Sequence, residues 1–437
     1  MWLQNPFLFV ESNVSIAGIY FFLALLSIVC TATAIFRARR IYWLAPIYFF
    51  SAWLCGELAL IHLLWQVALT ALLGITGGLS DPMAQTGVGL FALSWLGLVY
   101  LHCQAMDTPF HLRPALQSAL GEDYRADIPA ERRQLLSDDI RTRDWMRPFH
   151  FSRDGVKQLK NIAYSDAGKR NLLDIYQPDD PREGGFPVLL QVHGGAWIIG
   201  DKEQQGKPLM YRMAQQGWLC VAINYRLSPK AAFPAHIIDV KKAIAWIKEH
   251  ITEYGGNPDF IAITGGSAGG HLSALAALTP NRNEWQPGFE DADTTLQALV
   301  PFYGVFDFRD RHHIRPEMSM DGMLADKVLQ CAKDDHPELW DAGSPLSHVC
   351  ADAPPTFVIQ GTHDTLVWVE ESRVFVDALQ GVSTQPVAYA ELPGAHHAFE
   401  IFHSVRTDHT VNAVADFLEW THAQWRQEKA SPGVGPA

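Results

Sequence analysis

One serine stands where chemistry would put a nucleophile. Ser267 sits in Gly265-Gly266-Ser267-Ala268-Gly269, after the apolar run Phe260–Ile263 and before Gly270–Leu278, which has the make-up of a helix. Small residues on both sides suit a tight strand-to-helix turn that exposes the serine side chain. Such a turn also sets Ser267 at a helix N-terminus, where the dipole favours developing negative charge. The competing reading is a purely structural glycine turn.

A serine hydroxyl needs a base, and the base needs a carboxylate to orient it and to stabilise its protonated form. Histidines follow the last apolar run in "ELPGAHHAFE", and Asp364 follows a buried run in "FVIQGTHDTLV". Asp307 in "YGVFDF" also follows a strand, but Asp364 ends the strand before the histidine-bearing one and is preferred. The order Ser, Asp, His is that of an α/β-hydrolase triad. An oxyanion needs backbone N–H donors. Gly194 and Gly195 in "QVHGGAWIIGDK" offer bare backbone, and Ala268 follows the serine. His193 reads as a shaper of this loop, Trp197 as a substrate-lining or packing residue, and Tyr225 and Arg226 as structural. His312-His313 lacks Cys or carboxylate partners at ligand spacing, so no metal site is expected.

Together, "HGGAW", "GGSAGGHL", "GTHDTLV" and "PGAHHAF" resemble the α/β-hydrolase superfamily. The likeness is strongest to the esterase/lipase branch around hormone-sensitive lipase and its arylformamidase-like relatives, and it covers about Asn161 to Trp425. The resemblance implies a carboxylic-ester hydrolase working through an acyl-enzyme without metal or organic cofactor. It assigns Ser267 as nucleophile and Asp364 as orienting acid. His397 becomes the base, because the family's histidine is followed by one residue and an aromatic, here Ala398-Phe399. Two positions depart from the pattern. Ala196 stands where the last glycine of H-G-G-G is usual, though it keeps its N–H for the oxyanion hole. Gly266 stands where many members carry an acidic residue. Formamide cleavage, or a non-catalytic receptor on this fold, are the rival readings.

These residues need a scaffold. Apolar runs at 171–178, 186–195, 218–227, 296–304, 355–364 and 386–394 alternate with helical spacing at 236–256, 370–380 and 409–425. Strand alternating with helix predicts a mostly parallel sheet covered on both faces, with function at the strands' C-terminal ends.

The start of the chain obeys different rules. Of 437 residues carrying a net charge of −13, the first 106 hold only Glu11, Arg37, Arg39, Arg40, Glu57 and Asp81 as charges. Acidity speaks against nucleic-acid binding, and scattered cysteines against a disulfide framework. Ile16–Phe36 is long enough to span a bilayer, and a signal peptide is disfavoured for want of a basic n-region. Ile41–Leu73 would make a straight helix of roughly 50 Å, too long for a ~30 Å core, so it must tilt, project or break near Pro46 or Gly56. Gly74–Thr86 reads as a loop and Gly87–His102 as a third span. The arginine loop 37–40 puts that loop in the cytoplasm, and with three spans the remainder of the chain as well. Glu57 and His62 are expected to pair with each other or to lie near an interface. The resulting division is a transmembrane region at 1–106, a juxtamembrane connector at 107–150, a catalytic domain at 151–430 and a disordered tail at 431–437. The expected partners are the bilayer and an ester substrate; natural substrate and oligomeric state are not legible.

Overall fold

The computed structural model describes residues 15–37, 45–179, 185–315 and 320–430. The tail at 431–437 and the charges Glu11, Arg39 and Arg40 lie outside them.

Eight strands form one sheet in the order β1-β2-β4-β3-β5-β6-β7-β8. They are β1 Val156–Ala163, β2 Leu172–Pro178, β3 Phe186–Val192, β4 Leu219–Ile223, β5 Gly256–Gly266, β6 Ala298–Phe302, β7 Thr356–Gly361 and β8 Val387–Leu392. Pairing is parallel from β4 through β3 to β8, and antiparallel only where β1 meets β2 and β2 meets β4. β3 is buried along its whole length, as a central parallel strand covered on both faces must be. β1 escapes a reading by apolar runs: "VKQLKNIA" is an edge strand with mixed exposure, so no apolar run was needed.

Helices cover both faces. The chain before the sheet contributes α1 Ile16–Ile35, α2 Ala45–Glu57, α3 Ala59–Ile75, α4 Pro82–Met106 and α5 Pro109–Leu120. The sheet domain adds α6 Lys207–Gln215, α7 Ala235–His250, α8 Ala268–Leu278, α9 Val369–Gln380 and α10 Val405–Ala430. On one face, Ile237, Val240, Ile244 and Ile247 of α7 join Leu272 and Leu275 of α8 and Phe375 of α9. On the other, Met210 and Met213 of α6 and Val414 and Phe417 of α10 share a core with Leu112 and Leu116 of α5. Burying those two leucines is worth ~1.5–3 kcal/mol each. Segment 107–150 therefore does more than connect. Buried Arg132 reaches Glu419 of α10, and Arg125 reaches Asp416.

The apolar helices meet one expectation and depart from another. The long run 41–73 breaks between Glu57 and Ala59, with an 83° bend, beside Gly56. Asp81-Pro82, read as loop chemistry, instead starts α4. Asp81 Oδ1 accepts the Met83 N–H at 2.7 Å, and proline occupies the first helical position, where its missing N–H costs nothing. By length and composition α1 and the stretch Pro82–Leu120, which joins α4 to α5, can each cross a membrane, and the bent pair can supply a third crossing.

Candidate active site

β5 ends at Gly266 and α8 begins at Ala268, leaving Ser267 alone in the turn with φ 59° and ψ −123°. Such a backbone is uncommon for a non-glycine residue, and it persists only where its surroundings fix it. They do so by close packing. A Cβ at position 269 would lie 2.1 Å from the Val192 carbonyl oxygen, so only glycine lets α8 approach β3. Ser267 N–H donates to Phe302 O at 3.0 Å, and Ser267 O accepts from His271 N–H at 2.9 Å, closing the first turn of α8.

Asp364 lies just beyond β7 and is fully buried. Oδ1 accepts the N–H groups of Leu366 at 2.9 Å and Val367 at 2.8 Å, while Oδ2 accepts from Gln360 Nε2 at 3.1 Å and His397 Nδ1 at 2.7 Å. Four donors converge on the carboxylate and fix its position. Because the ionised carboxylate only accepts, Nδ1 of His397 carries the proton and Nε2 keeps its lone pair. The fold thus brings His397, and not His396, to Asp364. Asp307 is elsewhere, accepting the Arg309 and Arg311 N–H groups at 3.2 and 2.7 Å. Ser267 Oγ makes no hydrogen bond among the described residues; in unliganded sites of this kind such a bond often tightens only with substrate.

The loop after β3 passes beside the serine: a Cβ on Gly194 would lie 3.2 Å from Ser267 Cβ. One sequence expectation needs correction here. The Gly194 N–H is not free for an oxyanion, because it donates to Gln205 Oε1 at 2.6 Å. Among the described residues the N–H groups of Gly195, Ala196 and Ala268 have no hydrogen-bond acceptor. His193 is stacked on Tyr225 at 4.4 Å and bonded through Nδ1 to Gly194 O. Burial pushes His193 down to about 4, so it is neutral at physiological pH. Trp197 takes the packing role of its two expected ones, not the substrate-lining one. It is 1% exposed, packs on Phe308, and donates through Nε1 to His271 Nδ1 at 3.2 Å. It supports the loop from behind instead of lining a binding surface.

Two residues that the sequence reading left without a role adjoin His397. Tyr303 lies against the His397 ring with centroids 4.4 Å apart, and its hydroxyl donates to Glu400 Oε2. A Cβ at position 266 would fall 2.6 Å from the Tyr303 hydroxyl. The space of the usual acidic side chain is thus filled by Tyr303, with Glu400 bringing a carboxylate from another loop. The available signal was a glutamate three residues after the base in an otherwise apolar stretch. Gly266→Ala must displace Tyr303, so a loss of ~1–3 kcal/mol is expected in thermal unfolding, with reduced ester turnover. A variant as stable and active as wild type would mean that Tyr303 swings aside freely.

Burial pushes Glu400 up to about 7, despite its bond from Tyr303 and the nearby His397; Glu57 adds to the rise. A carboxyl whose folded pKa lies above its unfolded value binds the extra proton only when folded. Its stabilising contribution is complete below about 4.5, the ordinary value, and is lost as pH rises through about 7. Between pH 5 and 8 the stability of wild type relative to Glu400→Gln is expected to fall by about 2 kcal/mol. Parallel pH profiles of melting temperature for the two proteins would contradict this.

The apolar helices meet the site directly. Two carbonyls at the end of α1, which has no further turn to bond them, accept from the histidines adjacent to Asp364 and His397. His363 Nε2 donates to Ile35 O at 3.1 Å and His396 Nε2 to Ala34 O at 3.2 Å. Burial lowers His396 to about 4 and lowers His363 too, keeping both rings neutral. Arg37 lies 3.4 Å from Glu370 and 5.3 Å above the Trp368 ring. Glu57, at the break, does not pair with His62. It accepts from Ser404 Oγ at 2.8 Å and binds Arg406 at the start of α10, while His62 Nδ1 accepts from Trp65 Nε1.

A mostly parallel sheet with a strained serine turn after β5, an acid after β7 and a histidine after β8 defines an α/β-hydrolase. Comparison with known proteins narrows the class. A family model described as BD-FAE matches residues 173–379. The probable carboxylic ester hydrolase LipM of Mycobacterium tuberculosis is 46% identical over 361 residues, 82% of this chain and 83% of that one. Esterase LipQ of the same organism is 43% identical, covering 79% of this chain and 80% of its own. Among solved structures, esterase B of Lactobacillus rhamnosis matches with a TM-score of 0.55 over 66% of this chain and 94% of that one; at 21% identity it supports the fold alone. The chain belongs to the α/β-hydrolase esterases. The match to LipM is longer than the whole of this chain after Met106, so the likeness reaches into the apolar region.

Proposed function

We propose that the protein is a membrane-anchored serine carboxylesterase using Ser267, His397 and Asp364. The observation that carries this reading is the 2.7 Å bond from His397 Nδ1 to buried Asp364, in the same site as a serine held in a strained turn. Ser267 Oγ attacks the ester carbonyl as His397 Nε2 takes its proton. The N–H groups of Gly195, Ala196 and Ala268 stabilise the oxyanion. Collapse of the tetrahedral intermediate breaks the C–O bond, and His397 returns the proton to the departing alcohol. Water, activated by the same histidine, then releases the acid and restores Ser267. Asp364 stays ionised throughout. A fluorophosphonate probe is expected to modify the detergent-purified chain at Ser267, as read by peptide mass spectrometry; a folded, unlabelled protein would sink the mechanism.

We infer the membrane arrangement from where the apolar helices touch the sheet domain. Both the Arg37 end of α1 and the Glu57 end of α2 contact it, so α2 lies along the domain at the membrane surface. α3, about 25 Å long at 1.5 Å per residue, then leads away and α4 returns. This gives crossings by α1, α3 and α4. Because Arg37 and the sheet domain are on one side, the positive-inside rule assigns both to the cytoplasm.

A further inference from the structure

Helix α2 borders the base itself. Phe49 is 9% exposed, and its ring stands edge-on to His397 with centroids 6.2 Å apart. It stacks on Trp53 at 5.4 Å, and Trp53 meets Phe402, five residues beyond His397, at 5.1 Å. Phe50 is tilted against Phe49 at 5.0 Å and Trp53 at 6.3 Å, yet is 55% exposed. Ile47, one helical turn earlier on the same face, is 69% exposed. A continuous aromatic row therefore runs from the ring that would take the serine proton to open apolar surface on α2. Trp53 Nε1 lies buried in this row without a hydrogen-bond partner among the described residues, a donor left for an oxygen of a bound molecule.

A short, water-soluble ester gains nothing from such a row, whereas each methylene of a long chain laid along it leaves water or lipid for aromatic contact. We propose that the exposed face of α2 formed by Ile47, Phe50 and Trp53, continued inward by Phe49 to the edge of His397, binds the acyl chain of the substrate. The preferred substrates are then long-chain acyl esters that partition into the bilayer and reach Ser267 from the side of α2. Phe49 is the residue that sets chain-length preference. This inference rests on the esterase reading above.

The test compares kcat/KM for p-nitrophenyl dodecanoate and p-nitrophenyl acetate, using the full chain in one detergent. Phe49→Ala and Trp53→Ala are each expected to lower the dodecanoate-to-acetate ratio roughly 10-fold or more. Two variants guard against one failing to fold. If both ratios stay at the wild-type value, α2 is a lipid-facing surface only, and the proposal is overturned. An equal loss on both esters also overturns it, since Phe49 would then merely support His397. Acetate hydrolysis that survives Ser267→Ala would instead overturn the assignment of Ser267 as nucleophile, on which the esterase reading rests.

Discussion

Ser267→Ala is expected to lower kcat for p-nitrophenyl ester hydrolysis by roughly 10⁴- to 10⁶-fold while leaving the protein folded. The loss should be this large because the nucleophile, base and acid act as a unit, so removing the attacking oxygen leaves only oxyanion donors and binding. Stability should change little. Alanine at φ 59° is strained much as serine is, and Ser267 Oγ makes no hydrogen bond among the described residues, so none is lost. Turnover and thermal unfolding of the same preparation separate the two effects. A tenfold loss or less would show that the ester is cleaved by another group.

Arg406→Ala should have the second-largest effect, this time on stability. The Arg406 and Glu57 side chains are 1% and 0% exposed, and the pair joins the break between α2 and α3 to the start of α10. Removing one partner strands a buried charge, which costs ~3–5 kcal/mol. Glu57 would keep only the Ser404 hydroxyl as a donor. The double variant Glu57→Leu/Arg406→Met replaces the pair with apolar groups and should recover most of the loss, because the desolvation cost of both charges disappears. Melting in detergent at constant pH reads both. A single variant within about 1 kcal/mol of wild type would mean that water reaches the pair. The contact also matters for function, since Arg406 Nη2 donates to Pro393 O, four residues before His397.

The two predictions draw on different kinds of information in the chain. The first was legible from sequence. A strand-turn-helix pattern around Ser267, an acid after one buried run and a histidine after the next are local features, fixed by turn chemistry and strand periodicity. Their order alone made the proposed triad readable, along with most of the sheet. Local rules also misled in places. Asp81-Pro82 serves loops and helix starts equally, and β1 carries no apolar run because an edge strand needs none.

The second prediction could not have come from sequence. Glu57 meets Arg406 across 349 positions, and His396 meets Ala34 across 362, with no local pattern to mark either contact. Which backbone N–H groups remain free for an oxyanion was equally a matter of packing, since Gln205 claims that of Gly194. The same holds for Gly266, whose missing side chain is explained only by Tyr303 and Glu400 arriving from two other loops. By itself, the sequence determined a serine, an acid and a base on a parallel sheet, together with a lipid-compatible start. Tertiary structure decided that these two parts share one site, because burial and long-range pairing depend on which surfaces meet and not on which residues are neighbours in the chain.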